Sequence, residues 1–128
     1  MAIILVVDDH KDSRELLEFI LAEDGHEILH ADNGNEAVAC VREQPTDLVI
    51  LDIFMPEKNG IETMTEIHRE FPDIKIVAVT AGWNLGHRDP LKLAVEAGAD
   101  ATIRKPIDPI ALRRIVGELL AQLDSGAA

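Results

Sequence analysis

The 128-residue sequence predicts an α/β fold in which a five-stranded parallel sheet carries helices on both faces. Three observations support this. Five short apolar runs alternate with segments whose apolar residues recur at helical spacing. Successive strand–helix units form right-handed crossovers, which cover both faces of a parallel sheet. Several apolar runs end abruptly at polar residues, and ligands bind outside the carboxyl ends of parallel strands. The same observations therefore predict the edge at which a site lies.

The first two strand–helix units occupy the N-terminal third of the chain. The first strand is Ile3–Val7, a continuous apolar run typical of a strand buried on both faces. A helix follows over about residues 12–23, with apolar side chains four residues apart, and Gly25 ends it. A weaker second strand is predicted at Glu27–Ala31. An Asn-Gly pair then turns the chain into a second helix, which ends before Pro45.

The next two units follow the same pattern. The third strand is Leu48–Leu51, and the third helix takes its apolar positions from residues 61–71, ending at Pro72. The fourth strand is Ile74–Val79. After a loop, Leu91–Ala97 is predicted as the fourth helix, with a glycine after its last residue.

The last unit completes a single domain. Ala101–Arg104 is a short fifth strand, and apolar residues at helical spacing over 112–123 predict a fifth helix. We expect one domain over residues 1–124, with residues 125–128 as a frayed tail or the start of a linker.

Composition excludes several classes of protein. The net charge of −12 argues against direct binding to nucleic acid, whose affinity depends on phosphate contacts. No apolar stretch is long enough to span a membrane, and the N-terminus lacks the basic region of a signal peptide. Cys40 is the single cysteine, so the chain forms no internal disulfide. These features are typical of a cytoplasmic protein.

Polar residues with complementary chemistry fall at the ends of four predicted strands: Asp8, Asp9, Asp52, Thr80 and Lys105. Taken singly, each has an ordinary interpretation as a helix cap, a turn hydroxyl or a surface lysine. Taken together, they supply a carboxylate nucleophile, metal-binding acids, a hydroxyl and an ammonium group. These are the parts needed to accept a phosphoryl group.

Three carboxylates meet at one edge if the first and third strands are neighbours. Two like charges about 4 Å apart repel by roughly 4 kcal/mol at an effective dielectric constant near 20. A hard divalent cation with oxygen ligands removes this repulsion, so the cluster indicates a metal site. The five histidines lie on different elements without metal-ligand spacing and are expected to be ordinary residues.

These residues and their order resemble the receiver domains of two-component response regulators, and in particular the chemotaxis regulators. The residues that carry the resemblance are Val6-Val7-Asp8-Asp9, Leu51-Asp52-Ile53-Phe54-Met55-Pro56 with Gly60, Val79-Thr80-Ala81, Gly98-Ala99-Asp100 and Lys105-Pro106. They extend in the right order over almost the whole chain. The resemblance implies a doubly wound, flavodoxin-like sheet with strand order 2-1-3-4-5.

The resemblance also implies a role for each site residue. Asp52 is the implied phosphoacceptor. Mg²⁺ is the implied cofactor, bound directly by Asp9, by the Asp52 carboxylate and by the backbone carbonyl of Phe54, and through a water by Asp8. Thr80 would hydrogen-bond the phosphoryl group.

The C-terminal part of the site carries one departure from the family. The resemblance implies that Lys105 pairs with the phosphoryl group and that the peptide bond to Pro106 is cis. The switch aromatic that the family carries on the fifth strand is replaced by Thr102. We therefore hypothesise that Trp83, on the loop after Thr80, stands in part for the missing aromatic.

The implied function is a phosphorelay switch, which is not an enzyme beyond assisting its own phosphorylation and dephosphorylation. Its implied partners are a sensor histidine kinase or histidine phosphotransfer protein and a downstream effector or fused output domain. The partner surface would be the face of the fourth helix, fifth strand and fifth helix. The charged residues predicted on that face, which could equally be solvated, are Lys92, Glu96, Arg104, Arg113 and Arg114.

Three alternatives differ in what they require. An Asp- and Mg²⁺-dependent phosphatase of the haloacid dehalogenase type needs an Asp-x-Asp-x-Thr/Ser motif, which the segment beginning at Asp8 lacks. A flavodoxin-like FMN carrier needs a glycine-containing phosphate loop after the first strand, where residues 10–13 have no glycine. A degenerate receiver used only for binding would not need all five site residues.

Overall fold

The computed structural model describes residues 2–53, 60–80 and 90–126. Within those residues, five β-strands alternate with five α-helices. The strands are β1 (Ile3–Val7), β2 (Glu27–Ala31), β3 (Leu48–Asp52), β4 (Lys75–Thr80) and β5 (Ala101–Arg104). The helices are α1 (Lys11–Ala22), α2 (Gly34–Glu43), α3 (Gly60–Glu70), α4 (Pro90–Glu96) and α5 (Pro109–Gly126).

The strands form one parallel sheet in the order β2-β1-β3-β4-β5. The prediction of an open, doubly wound parallel sheet is therefore confirmed. The register aligns Val7 with Leu51 and pairs Thr80 with Arg104, so the carboxyl ends of β1, β3, β4 and β5 lie along one edge. The chain order reverses at β1, which lies between β2 and β3, and this is the switch point where ligands bind in such sheets.

Helices cover both faces of the sheet, because successive strand residues point to opposite sides. On one face, α2, α3 and α4 contribute the apolar residues Ala37, Val38, Val41, Met64, Ile67 and Ala94 to a core cluster with the strands. On the other face, α1 and α5 contribute Leu17, Ile20, Leu21, Leu112, Val116 and Leu119. The central strands β1, β3 and β4 lie between these two layers, which explains their continuous apolar runs.

The predicted boundaries of β1, β2 and β5 are confirmed, whereas β3 ends one residue later than predicted and β4 both begins and ends one residue later. β3 includes Asp52, which pairs with Val79, and β4 includes Thr80. The helix α1 begins one residue earlier than predicted. The helix α5 continues through Ser125 and Gly126, the first two residues of the predicted tail. No helix in the described part of the chain is both long enough and apolar enough to cross a membrane.

Candidate functional site

Three strand ends bring charged side chains together at the carboxyl edge of the sheet. The ammonium nitrogen Nζ of Lys105 lies 3.1 Å from Oδ2 of Asp8 and 3.0 Å from Oδ2 of Asp52. It donates a hydrogen bond to each carboxylate. The sequence prediction that the polar ends of the first, third and fifth strands meet at one place is confirmed for these three side chains.

The backbone fixes these side chains because the sheet ladder continues into the loops. The N–H of Asp8 donates to the carbonyl oxygen of Ala31 at 3.2 Å, beyond the last residue of β1. The N–H of Lys105 donates to the carbonyl oxygen of Thr80 at 2.7 Å, beyond the last residue of β5. Asp52 is itself the last residue of β3. All three functional groups therefore project from hydrogen-bonded backbone.

Gly60, the first residue of α3, lies directly against the backbone of Asp52 and Ile53. A Cβ atom on Gly60 would lie 2.5 Å from the carbonyl oxygen of Asp52 and 2.5 Å from Cα of Ile53. The N–H of Gly60 donates to the carbonyl oxygen of Ile53 at 2.9 Å. The helix thus presses against the end of β3 at a distance that only glycine permits, which fixes the backbone that carries Asp52.

The ion pairs of the site join two buried carboxylates to a partly buried lysine. Asp8 and Asp52 expose 3 % and 7 % of their surface, so neither carboxylate is well solvated. Partial burial lowers the pKa of Lys105, but the hydrogen bonds and charges of Asp52 and Asp8 outweigh it, and the net effect raises this pKa above its usual value. Lys105 therefore remains an ammonium ion at neutral pH and balances part of the carboxylate charge.

The hydrogen bonding of Asp9 indicates whether the residues at this edge are suited to bind a cation. Its Oδ1 atom is buried and accepts no hydrogen bond from any described residue. The ring nitrogen Nδ1 of His10 lies 3.2 Å from it, but without the geometry of a hydrogen bond. A buried carboxylate oxygen without a donor is costly. Asp8, Asp9 and His10 each offer a ligand atom, all within 4.8 Å of one another, so the residues present fit a divalent cation.

The remaining predicted site residues are placed as follows. Thr80 is fully buried at the end of β4, beside the backbone of Lys105. Thr102 lies partly buried in β5. The peptide bond between Lys105 and Pro106 is cis, as predicted. Phe54 and Trp83, predicted as a metal ligand and as a switch residue, lie outside the described residues.

A cavity of about 210 Å³ opens beside the charged cluster. Its polar lining comes from Asp8, Ser13, Asp52 and Lys105. The remaining lining is apolar and comes from the strands β1, β3 and β4, from α1 and from the segment after β5, namely Val7, Ile50, Val79, Leu16, Leu17, Pro106 and Ile107. The charged groups are thus accessible from outside, with room for a small polar group between them and an apolar wall.

The charged residues predicted on the partner face are exposed, and one of them also forms an ion pair with a residue outside that face. Lys92, Glu96, Arg104 and Arg114 are exposed, as expected for α4, β5 and α5. Arg113 is exposed as well, but it pairs with Asp24 at 2.7 Å and therefore links α5 to the turn after α1.

One residue beside the charged cluster was not among the predicted site residues. His10 was interpreted as an ordinary histidine because its spacing from the other histidines matches no metal site. Its ring nitrogen Nδ1 instead lies 3.4 Å from Oδ1 of Asp8 and 3.2 Å from Oδ1 of Asp9. The available signal was its position directly after the two aspartates, between a strand and a helix.

Comparison with known proteins supports the same family over most of the chain. Residues 4–117 match the family model of the response regulator receiver domain. A chemotaxis protein CheY of Halobacterium salinarum is 37 % identical over 117 residues, which cover 91 % of this chain and 95 % of that protein.

Two solved structures are similar in fold and sequence. A CheY-like response regulator receiver domain protein from Methanospirillum hungatei superposes with a TM-score of 0.90 at 28 % identity and covers 98 % of both chains. The response regulator TrrA from Thermotoga maritima, solved in complex with Mg²⁺ and beryllium fluoride, has a TM-score of 0.82 at 39 % identity. The match covers 93 % of this chain and 99 % of that one.

Proposed function

Because the chain belongs to the response regulator receiver family, we propose that it is a phosphoryl-accepting switch of a two-component phosphorelay. Receiver domains are signalling modules that work with histidine kinases and output modules. The observation that carries the proposal is the Lys105 ammonium bridging Asp8 and Asp52 at the carboxyl edge of the sheet. In the proposal the receiver domain spans residues 1–124 and acts in the cytoplasm.

Asp52 is the proposed phosphoacceptor. A carboxylate oxygen of Asp52 attacks the phosphorus atom of a phosphohistidine on a sensor kinase or phosphotransfer protein. The new O–P bond forms as the P–N bond breaks, and the electron pair stays on the imidazole nitrogen of the donor. Buried at a strand end beside an accessible cavity, Asp52 combines a fixed position with access for the donor.

The neighbouring groups counter the charge that the phosphoryl group brings. Lys105 pairs with a phosphoryl oxygen, and the hydroxyl of Thr80 donates a hydrogen bond to another. Asp9 and Asp52 would hold Mg²⁺ directly and Asp8 would hold it through a water, with the carbonyl of Phe54 as a further proposed ligand. When bound, Mg²⁺ supplies positive charge that offsets the phosphoryl oxygens.

We assign the output to a change in partner binding at the face of α4, β5 and α5. The backbone of Thr80 accepts a hydrogen bond from Lys105, so a shift at either residue moves the junction of β4 and β5. Val95 on α4 and Ile110 on α5 are 61 % and 79 % exposed. Exposed apolar side chains of this kind suit binding to an effector protein or a fused output domain. The chain is thus a switch that assists only its own phosphorylation and dephosphorylation.

Phosphotransfer is tested with Asp52→Asn. The wild-type protein is incubated with Mg²⁺ and a phosphorylated histidine kinase or a small acyl phosphate. The adduct is then measured by intact mass and by a phosphate-affinity gel. We expect one acid-labile phosphoryl group on the wild type and none on the variant. Asp12→Asn, the same change on an exposed aspartate at the start of α1, is the control and should be labelled normally. Equal labelling of Asp52→Asn and wild type would disprove the assignment.

A further inference from the structure

We propose that His10 is an additional ligand of the cation site, so that this chain binds imidazole-preferring divalent ions such as Co²⁺ more tightly than an all-oxygen receiver site would. The inference rests on the cation site of the proposed function and adds its metal preference. Three independent features support it: the spacing of the ligand atoms, the freedom of the imidazole ring and the chemistry of the ion.

The spacing of the ligand atoms is that of neighbouring ligands on one ion. Nδ1 of His10 lies 3.2 Å from Oδ1 of Asp9 and 3.4 Å from Oδ1 of Asp8. Two ligands bound at about 2.1 Å and at right angles to each other are about 3 Å apart. Because Oδ1 of Asp9 is buried and accepts no hydrogen bond from the described residues, it remains available to such an ion.

Among the described residues, the polar contacts of the imidazole ring of His10 are those with the carboxylates of Asp8 and Asp9. His10 is the N-cap of α1, but its side chain makes no capping hydrogen bond, and it is 73 % exposed. The backbone, in contrast, is fixed on both sides. Its N–H donates to Oδ1 of Asp8 at 2.8 Å, and its carbonyl accepts the N–H of Arg14 at 3.2 Å. The backbone therefore keeps the ring beside the carboxylates, and removal of the ring leaves these contacts intact.

The chemistry of the ion determines what an imidazole adds. Mg²⁺ is a hard ion that takes oxygen ligands and retains several waters, so it gains little from His10. First-row transition ions accept imidazole readily, and their affinity for a mixed nitrogen and oxygen site rises along the series from Mn²⁺ to Cu²⁺. His10 should therefore change the ratio of Co²⁺ to Mg²⁺ affinity rather than the affinity for every divalent ion.

The test measures binding of Mg²⁺ and of Co²⁺ to the full chain by calorimetry, with the visible absorption of bound Co²⁺ as a second readout. We expect His10→Ala to weaken Co²⁺ binding on the order of tenfold and to leave Mg²⁺ affinity within about twofold. The absorption spectrum of bound Co²⁺ should also change, because a nitrogen ligand is lost. The matched control is His30→Ala, a histidine of β2 that pairs with Glu18 at 2.8 Å. This control should leave both affinities unchanged.

The possible outcomes separate this inference from the proposed function. Equal changes for both ions in His10→Ala would mean that the ring acts only as a neighbouring dipole or charge, and would overturn the inference. An unchanged Co²⁺ affinity would overturn it as well, as would the same loss in His30→Ala. Asp9→Asn, by comparison, should abolish binding of Mg²⁺. If it does not, the cation site of the proposed function is wrong, whatever His10 does.

Discussion

Replacing Lys105 with methionine should destabilise the protein because the change leaves two buried carboxylates facing each other. Methionine keeps most of the length and the apolar stem of lysine but removes the charge. The side chains of Asp8 and Asp52 are only 4 % and 8 % exposed, whereas the lysine side chain is 28 % exposed. The loss should therefore come mainly from the carboxylates that remain rather than from the lysine itself.

The structure sets the size of the effect. Each Oδ2 atom lies about 3 Å from the same nitrogen, so the two oxygens are at most about 6 Å apart. At an effective dielectric constant near 20, charges at that distance repel by about 3 kcal/mol. Removing one partner of a buried ion pair typically costs 3–5 kcal/mol, and access of water through the cavity reduces this. We expect the free energy of unfolding to fall by about 2–3 kcal/mol.

The assay is urea unfolding followed by circular dichroism at neutral pH, in the presence of a chelator. The control is Lys11→Met, since Lys11 pairs with Glu15 at 3.6 Å on the exposed surface and should contribute less than about 0.5 kcal/mol. Asp8→Asn, added to the Lys105→Met variant, should restore part of the stability because it removes one of the two charges. Equal destabilisation by Lys105→Met and Lys11→Met, or no recovery on adding Asp8→Asn, would contradict a role for repulsion between the two carboxylates.

The pH dependence of this difference follows from the pKa of Lys105. Burial lowers it, but Asp52 and Asp8 raise it by more, so the folded pKa lies above the usual value. A group with a raised folded pKa contributes its full stability below the unfolded pKa and loses it as the pH rises through the folded pKa. The difference in stability between wild type and Lys105→Met should therefore stay constant from neutral pH to about pH 9.

Two further substitutions test the close contact between Gly60 and β3 and the proposed coupling of Thr80 to α4. Gly60→Ala should lower the free energy of unfolding by about 2 kcal/mol because its Cβ would contact the backbone of β3, whereas Gly117→Ala, in open space on α5, should raise it by about 0.5–1 kcal/mol. Equal effects in a urea titration would contradict the close contact. Thr80→Ala should still accept phosphate, but α4 should show a weaker change in amide exchange on phosphorylation, and Thr80→Ser should restore it. The same exchange response in wild type and Thr80→Ala would rule out a coupling role for the hydroxyl.

The fold and the meeting of Asp8, Asp52 and Lys105 could be predicted from the sequence because buried apolar strands give way to polar residues at the carboxyl edge of the sheet. The end of β1 was predicted correctly, since its apolar run stops where Asp8 follows Val7. The end of β3 was placed one residue early because the carboxylate of Asp52 breaks the apolar pattern while its backbone continues the ladder. His10 was missed because periodicity describes helices and strands, whereas His10 lies at the junction between them. There the backbone turns, and adjacent side chains converge.

The arrangement of charge explains how a small event at Asp52 can reach the rest of the sheet. The ammonium group of Lys105 donates a hydrogen bond to Asp8 and to Asp52, so the position of this group depends on where the negative charge lies. In the proposed function, phosphorylation moves that charge from the carboxylate of Asp52 out to the phosphoryl oxygens, and the ammonium of Lys105 follows it. The backbone of Lys105 is hydrogen-bonded to Thr80, so β4 and β5 experience the same displacement at their shared end. In the proposed function, the lysine that pairs with both carboxylates in the resting site is thus also the group through which the phosphorylated site would act on its neighbours.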